Sequence, residues 1–129
     1  MQTVTRRFPK VQRDIELVRK LLLIIEGAPE MNRSREFLHD WSGFVGFGET
    51  ADKISYHLRL LLDAHLIDGD PAKPSVSGLT MDGHDFVESI KDETVWRAVK
   101  TRLADLPGAK LQTYADIADG EISKKIGLI

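Results

Sequence analysis

Apolar positions along this chain recur with helical spacing, switch briefly to short extended runs, and then return to helical spacing. Between Asp14 and Glu26, residues Ile15, Val18, Leu22 and Ile25 share one helical face, and Leu21 and Ile24 widen the stripe. So broad a stripe predicts a helix buried against more than one neighbour. Asp14 stands where a cap belongs, and Gly27 followed by Pro29 predicts a left-handed stop. The stretch Glu49 to Ile67, ETADKISYHLRLLLDAHLI, carries a second helical stripe. At about 100° per residue Ala51, Ile54, Leu58, Leu61, Leu62 and His65 face one way. Asp52, Tyr56, Arg59 and Asp63 face the other, flanked by Lys53, Ser55 and Leu60, with Thr50 as the expected N-cap.

The sequence LIDGDPAKPSVSGLT comes next and reads as strand, loop, strand. Leu66 and Ile67 lie at one end, Val76 and Leu79 at the other, and Gly69, Pro71 and Pro74 break the middle. Thr80 or Asp82 is placed to cap a further helix through Ile90, with Phe86, Val87 and Ile90 inward. Asp92 to Leu103 repeats the helical spacing through Val95, Trp96, Val99 and Leu103, and Pro107 and Gly108 end it. Leu111, Ala115, Ala118, Ile122 and Ile126 form a last stripe, interrupted by Gly120. Residues 27–48 hold two alternatives. SREFLHDW has helical spacing in Phe37, Leu38 and Trp41, whereas Phe44, Val45 and Phe47 favour an extended segment, and Gly43, Gly46 and Gly48 exclude one long helix. A strand or irregular segment is expected, with His39 and Asp40 as surface residues.

A buried helix, a second helix with a polar outer face, and a strand–loop–strand directly after it form the pattern of a winged helix-turn-helix. In that geometry the second helix is the presenting helix and the hairpin is the wing. The expected fold class is therefore mainly α with a small β-wing (α+β). Residues 1–13 form a basic N-terminal arm, residues 14–91 the winged-helix-like domain, and residues 92–129 a C-terminal helical extension packed on that domain or on a dimer partner. A homodimer through the apolar C-terminal stripe is expected.

Composition narrows the possible functions. The chain has 129 residues, 42% hydrophobic and 29% charged, with net charge −2. It belongs with soluble globular domains and has no overall basic excess to argue for nucleic acid. There is no cysteine, which removes disulfides, thiolate metal sites and cysteine nucleophiles. The longest apolar run, Leu21 to Ile25, is too short to span a bilayer, and no secretory signal is visible, so a cytoplasmic location without membrane contact is expected.

The segments DIELVRKLLLIIE, ISYHLRLLLDAHLI and GLTMDGHDFVESIKDETVWRAVK together resemble a bacterial and phage family, domain of unknown function 2513. Its hallmarks are a D-x-x-L-V/I-R-K-I/L-L opening, a Y-H-L/I-x-L-L segment, and LT-x-x-GHDF followed by D-x-T-x-W. The resemblance covers most of residues 14–103. It implies a winged-helix-like fold often carried by prophages, with no activity or catalytic residue to transfer. Where the family has AGLI, this chain has Ala64-His65-Leu66-Ile67. A glycine there serves as a left-handed helix terminus; with histidine the helix is expected to end differently or to run on through His65.

Two functions from different classes follow. In the first, the protein binds double-stranded DNA and regulates. Lys53, Ser55, Tyr56 and Arg59 project from the presenting helix toward a major groove, and Arg6, Arg7, Lys10 and Arg13 touch phosphates. Residues 49–63 work against this, since Glu49, Asp52 and Asp63 outnumber Lys53 and Arg59. In the second, the same fold is a protein-interaction module for a regulatory partner, presenting Tyr56 and Leu60 on a neutral-to-acidic face. Enzymatic function is not expected. His57 and His65 are eight residues apart, too far along a helix to share one ion readily. His57, His65 and His84 with Asp63 and Asp85 read better as residues making local hydrogen bonds. No G-x-S-x-G setting, phosphate-cradling loop, metal set or cofactor motif is present. Thr80, Gly83, His84 and Asp85 are read as a structural motif tying the wing to the next helix, and Trp96, like Trp41, as a core or interface residue.

Overall fold

The computed structural model describes residues 12–27, 48–70, 72, 75–106 and 108–127. The expected segment within 28–47 and the arm residues Arg6, Arg7 and Lys10 lie outside the described residues. Helix α1 spans Ile15–Glu26. The Asp14 carboxylate caps it by accepting from the N–H groups of Glu16 and Leu17. Leu17, Val18, Leu21, Leu22 and Ile25 are buried. Gly27 ends the helix at φ −82°, outside the left-handed region expected of it, and its N–H donates to the Leu23 carbonyl. The stop is an ordinary right-handed fray.

Helix α2 spans Ala51–Asp63, capped by Thr50, whose hydroxyl accepts from the Lys53 N–H. Ile54, His57, Leu58 and Leu61 are buried. Ala51 and His65, assigned by spacing to the inward face, are both exposed. Ala51 is the first helical residue, and His65 lies past the last one, where the helical wheel no longer applies. The helix terminates in a Schellman arrangement. The Leu66 N–H donates to Leu61 and the His65 N–H to Leu62, each at 3.0 Å, with His65 itself at φ 60°. Leu66 and Leu61, both buried, are the residues whose apolar contact accompanies that motif. Histidine thus takes the role for which glycine is better suited. A left-handed residue with a Cβ costs roughly 1–2 kcal/mol, against the smaller unfolded-state entropy cost of glycine. His65→Gly is therefore expected to stabilise the protein by about 0.5–1 kcal/mol, read as a higher urea midpoint at unchanged slope.

Strands β1 (Ile67–Asp70) and β2 (Ser75–Leu79) form an antiparallel hairpin, with Ile67 opposite Leu79 and Asp70 opposite Ser75. The register shifts between Asp68 and Gly69. A Cβ on Gly69 would stand 2.0 Å from the Ser75 carbonyl oxygen, so the hairpin closes there only with glycine. Helices α3 (Met81–Ile90), α4 (Glu93–Arg102) and α5 (Leu111–Lys125) complete the chain. Thr80 caps α3 and Asp92 caps α4, each accepting from a first-turn N–H at 2.9 Å.

The core is one continuous cluster running from Leu17 in α1 to Ala118 in α5, with Trp96 among its largest fully buried side chains. Helix α1 is central, packing on α2, α3 and β2, while α5 packs on α3 and α4. The observed class is mainly helical with a small β-wing. The C-terminal stripe expected to serve a dimer is covered within the chain. Tyr114, Ala115 and Ala118 are buried, Leu111, Ile117 and Ile122 are half-buried against the same core, and Ile126 stands exposed. Ser89 of α3 donates to the Asp119 carboxylate of α5 at 2.7 Å, fixing the two helices at a polar point.

Candidate functional site: the outer face of the second helix

Position and charge on α2 follow from what anchors it. His57 is fully buried. Its Nε2 lies 2.8 Å from the Asp14 N–H and its Nδ1 lies 2.8 Å from the Lys53 carbonyl. The Asp14 N–H can only donate, so Nε2 accepts, and Nδ1 carries the proton it gives to Lys53. A neutral imidazole thereby joins the start of α1 to α2. This is the local hydrogen bonding expected of the histidines, with one partner 43 residues away in sequence.

Lys53 joins the same node. Its ammonium sits 3.0 Å from Asp14 and 3.2 Å from Glu49. These partners raise the Lys53 pKa. Burial works to raise that of Asp14 but is outweighed by hydrogen bonds from Lys53 and from the α1 amides, so the net direction is down. Glu16 follows the same pattern, with burial opposed by hydrogen bonds from Lys100 and from the Trp96 indole, the latter at 3.2 Å. Trp96 is buried between α1 and α5, with the Arg19 guanidinium 5.5 Å from its ring centroid and Tyr114 6.1 Å away. A carboxylate whose folded pKa is depressed adds stability above its unfolded pKa and loses it as pH falls through the folded one. With ordinary values of 3.8 for Asp14 and 4.5 for Glu16, stability should hold above about pH 5 and decline below about pH 4.5. Asp14→Asn should flatten part of that decline in urea unfolding measured across pH.

Of the predicted DNA-contacting residues, Lys53 is therefore engaged at the α1–α2 junction, where the two carboxylates neutralise it. Arg13 is part-buried and donates to the Ala109 carbonyl in the α4–α5 connection. Ser55 is half-buried, and Tyr56 and Arg59 are exposed. The Tyr56 ring meets His57 edge-on at 5.5 Å. The presented surface is consequently Tyr56 and Arg59 bordered by exposed Asp52 and Asp63, continuing into the wing with Asp68 exposed and Asp70 half-buried. Among the described residues, this face carries four carboxylates and one guanidinium.

The wing-to-helix motif is built by Thr80 and Gly83. The Thr80 hydroxyl donates to the His65 carbonyl at 2.6 Å and accepts from the Gly83 N–H, while the Thr80 N–H donates to the Leu66 carbonyl at 3.1 Å. A Cβ on Gly83 would lie 1.9 Å from that same Leu66 oxygen. His84 and Asp85 are exposed, and their side chains have no hydrogen-bond partner among the described residues. The tie thus runs through the threonine hydroxyl and a missing side chain, not through the imidazole and carboxylate. His65 and His84 are exposed and His57 is buried between backbone partners, so the three imidazoles occupy separate settings. Sequence reading missed the His57–Asp14–Lys53 node as a unit. The D-x-x-L opening and the Y-H segment carried its signal, but not the pairing between them.

A helical scaffold with a small β-wing after a polar-faced second helix is the class that the fold defines. The chain belongs to the family described as hypothetical protein, domain of unknown function 2513, whose model matches residues 12–110. It is similar to an uncharacterized protein of Haemophilus influenzae, 32% identical over 99 residues that cover 72% of this chain and 79% of the relative. No solved structure matches the chain. Among the described residues, no helix is long and apolar enough to cross a membrane.

Proposed function

We propose that the protein is a non-enzymatic, winged-helix-like regulatory module. On this reading the outer face of α2 and the wing engage a protein partner that presents basic residues. The observation that carries it is the charge of that face. Asp52 and Asp63 lie on α2 with Tyr56 and Arg59, and Asp68 and Asp70 lie on the strand that follows, while Lys53 and Arg13 are held by Asp14, Glu49 and Ala109. Tyrosine and arginine are the side chains that anchor protein interfaces most often, and an acidic rim steers a basic partner. Duplex DNA is the second reading, favoured by the exposure of Arg59 and Tyr56 on the helix that precedes a wing, with Arg6, Arg7 and Lys10 as phosphate contacts.

Charge reversal separates the two readings by sign. Asp52→Lys with Asp63→Lys should weaken capture of the partner from the native host, whereas a polyanion would be bound more tightly by the same change. A photo-crosslinking residue at position 56 should give one discrete protein adduct. Adducts to nucleic acid at that position would overturn the first reading in favour of the second.

A further inference from the structure

A groove of about 740 Å³ opens between the Gln12–Ile15 segment, the start of α2 and the end of α4. Its walls combine Arg13, Lys53 and Lys100 with Ile15, Leu103 and Tyr114. That size and mixture, an apolar wall with a few convergent polar groups, is what small-molecule sites have. Two features point to the chemistry of an occupant. Tyr114 is 4% exposed, yet its hydroxyl has no hydrogen-bond partner among the described residues. Buried hydroxyls are ordinarily satisfied, and one that is not calls for a group outside the protein. The groove also receives the N-terminus of α2. Thr50 satisfies the Lys53 N–H, leaving the first-turn amides of Ala51 and Asp52 without a protein acceptor among the described residues. Unsatisfied amides at a helix start favour an anion.

We propose that this groove binds a small carboxylate with an apolar, ring-sized body. The carboxylate accepts from both the Tyr114 hydroxyl and the α2 amides, and the ring lies on Ile15 and Leu103. Three cations line the groove against the carboxylates of Asp14 and Asp52. Lys53 is already engaged by Asp14 and Glu49, Lys100 by Glu16 and Arg13 by the Ala109 carbonyl, so recognition of the carboxylate falls to the Tyr114 hydroxyl and the α2 amides. The inference does not depend on whether the outer face of α2 meets protein or DNA.

Benzoate serves as the probe, titrated into the full chain with backbone amide NMR as readout. Saturable shifts are expected at Ala51, Asp52, Leu103 and Tyr114, with benzyl alcohol at least fivefold weaker. Tyr114→Phe should weaken benzoate about tenfold, the loss appropriate to one hydrogen bond to a charged group. Its unfolding midpoint should be unchanged or higher, because no protein partner is lost. Ala104→Trp, at an exposed position on the groove wall, should block binding by bulk. Absence of saturable shifts at these amides overturns the proposal. So does wild-type benzoate affinity in either variant, or equal binding of benzyl alcohol.

Discussion

Gly83→Ala is expected to destabilise the protein by about 3 kcal/mol, the upper range for forcing an atom into a packed site. The methyl group would sit 1.9 Å from the Leu66 carbonyl oxygen. That oxygen is backbone, and it is held in place by the Thr80 N–H and by the Schellman turn that ends α2. No side chain can rotate away, so either the first turn of α3 or the end of α2 has to move. Either shift lengthens the Thr80 contacts to His65 and Gly83, which set the wing relative to α2. Equilibrium unfolding in urea reads the loss directly, and Gly120→Ala is the internal control. Nothing lies within 4 Å of a Cβ at Gly120, and a helix-interior glycine gives up roughly 0.5–1 kcal/mol relative to alanine. The control should therefore be more stable than wild type. Wild-type stability for Gly83→Ala would show that the close approach of α3 to Leu66 does not hold in solution.

A chain ending at Leu106 is expected to lose cooperative folding. Helix α5 covers α3 and α4 with Tyr114, Ala115 and Ala118, and Leu111, Ile117 and Ile122 pack around them. Burial of each large apolar side chain contributes roughly 1.5–3 kcal/mol. Removing the set approaches the roughly 5–15 kcal/mol that holds a whole domain together. Shortening also deletes the Asp119 carboxylate that accepts from Ser89 and the Ala109 carbonyl that accepts from Arg13. Far-ultraviolet circular dichroism with urea titration should show a shallow, non-cooperative loss of helix. A sharp transition with wild-type slope would mean that α5 is an appendage and that residues 14–106 fold alone.

How much of this was legible in the sequence differs by element. Helices were legible because burial repeats every 3.6 residues and because Asp14, Thr50, Thr80 and Asp92 have side chains suited to capping. The wing was legible because Gly69, Pro71 and Pro74 interrupt two apolar ends. The end of α2 was harder. Spacing carried the inward face through His65, but a left-handed residue turns the chain, and histidine announces that conformation less clearly than glycine does. The candidate site was legible in its face but not in its partners. Periodicity put Lys53 beside the outer face of α2, whereas its ammonium turns to the α1–α2 junction. It could not show that Asp14, 39 residues earlier, reaches the same ammonium, because a helical wheel contains no information about the neighbouring element. The acceptor of Arg13 was hidden for the same reason, since Ala109 lies 96 residues away. Each such pairing engages a cation that sequence alone had offered to phosphate.

The acidity of the presented face is the basis for preferring a protein partner to DNA, and a duplex titration tests it most directly. Fluorescence anisotropy of labelled random and genomic-fragment duplexes should be followed from about 50 to about 200 mM salt, the range over which phosphate contacts reveal themselves. Wild-type protein is expected to give no saturable binding at the low-salt end, and Arg59→Ala and Tyr56→Ala should change nothing. Saturable binding that falls steeply with salt and weakens in those two variants would contradict the protein-partner reading and make α2 a recognition helix for DNA.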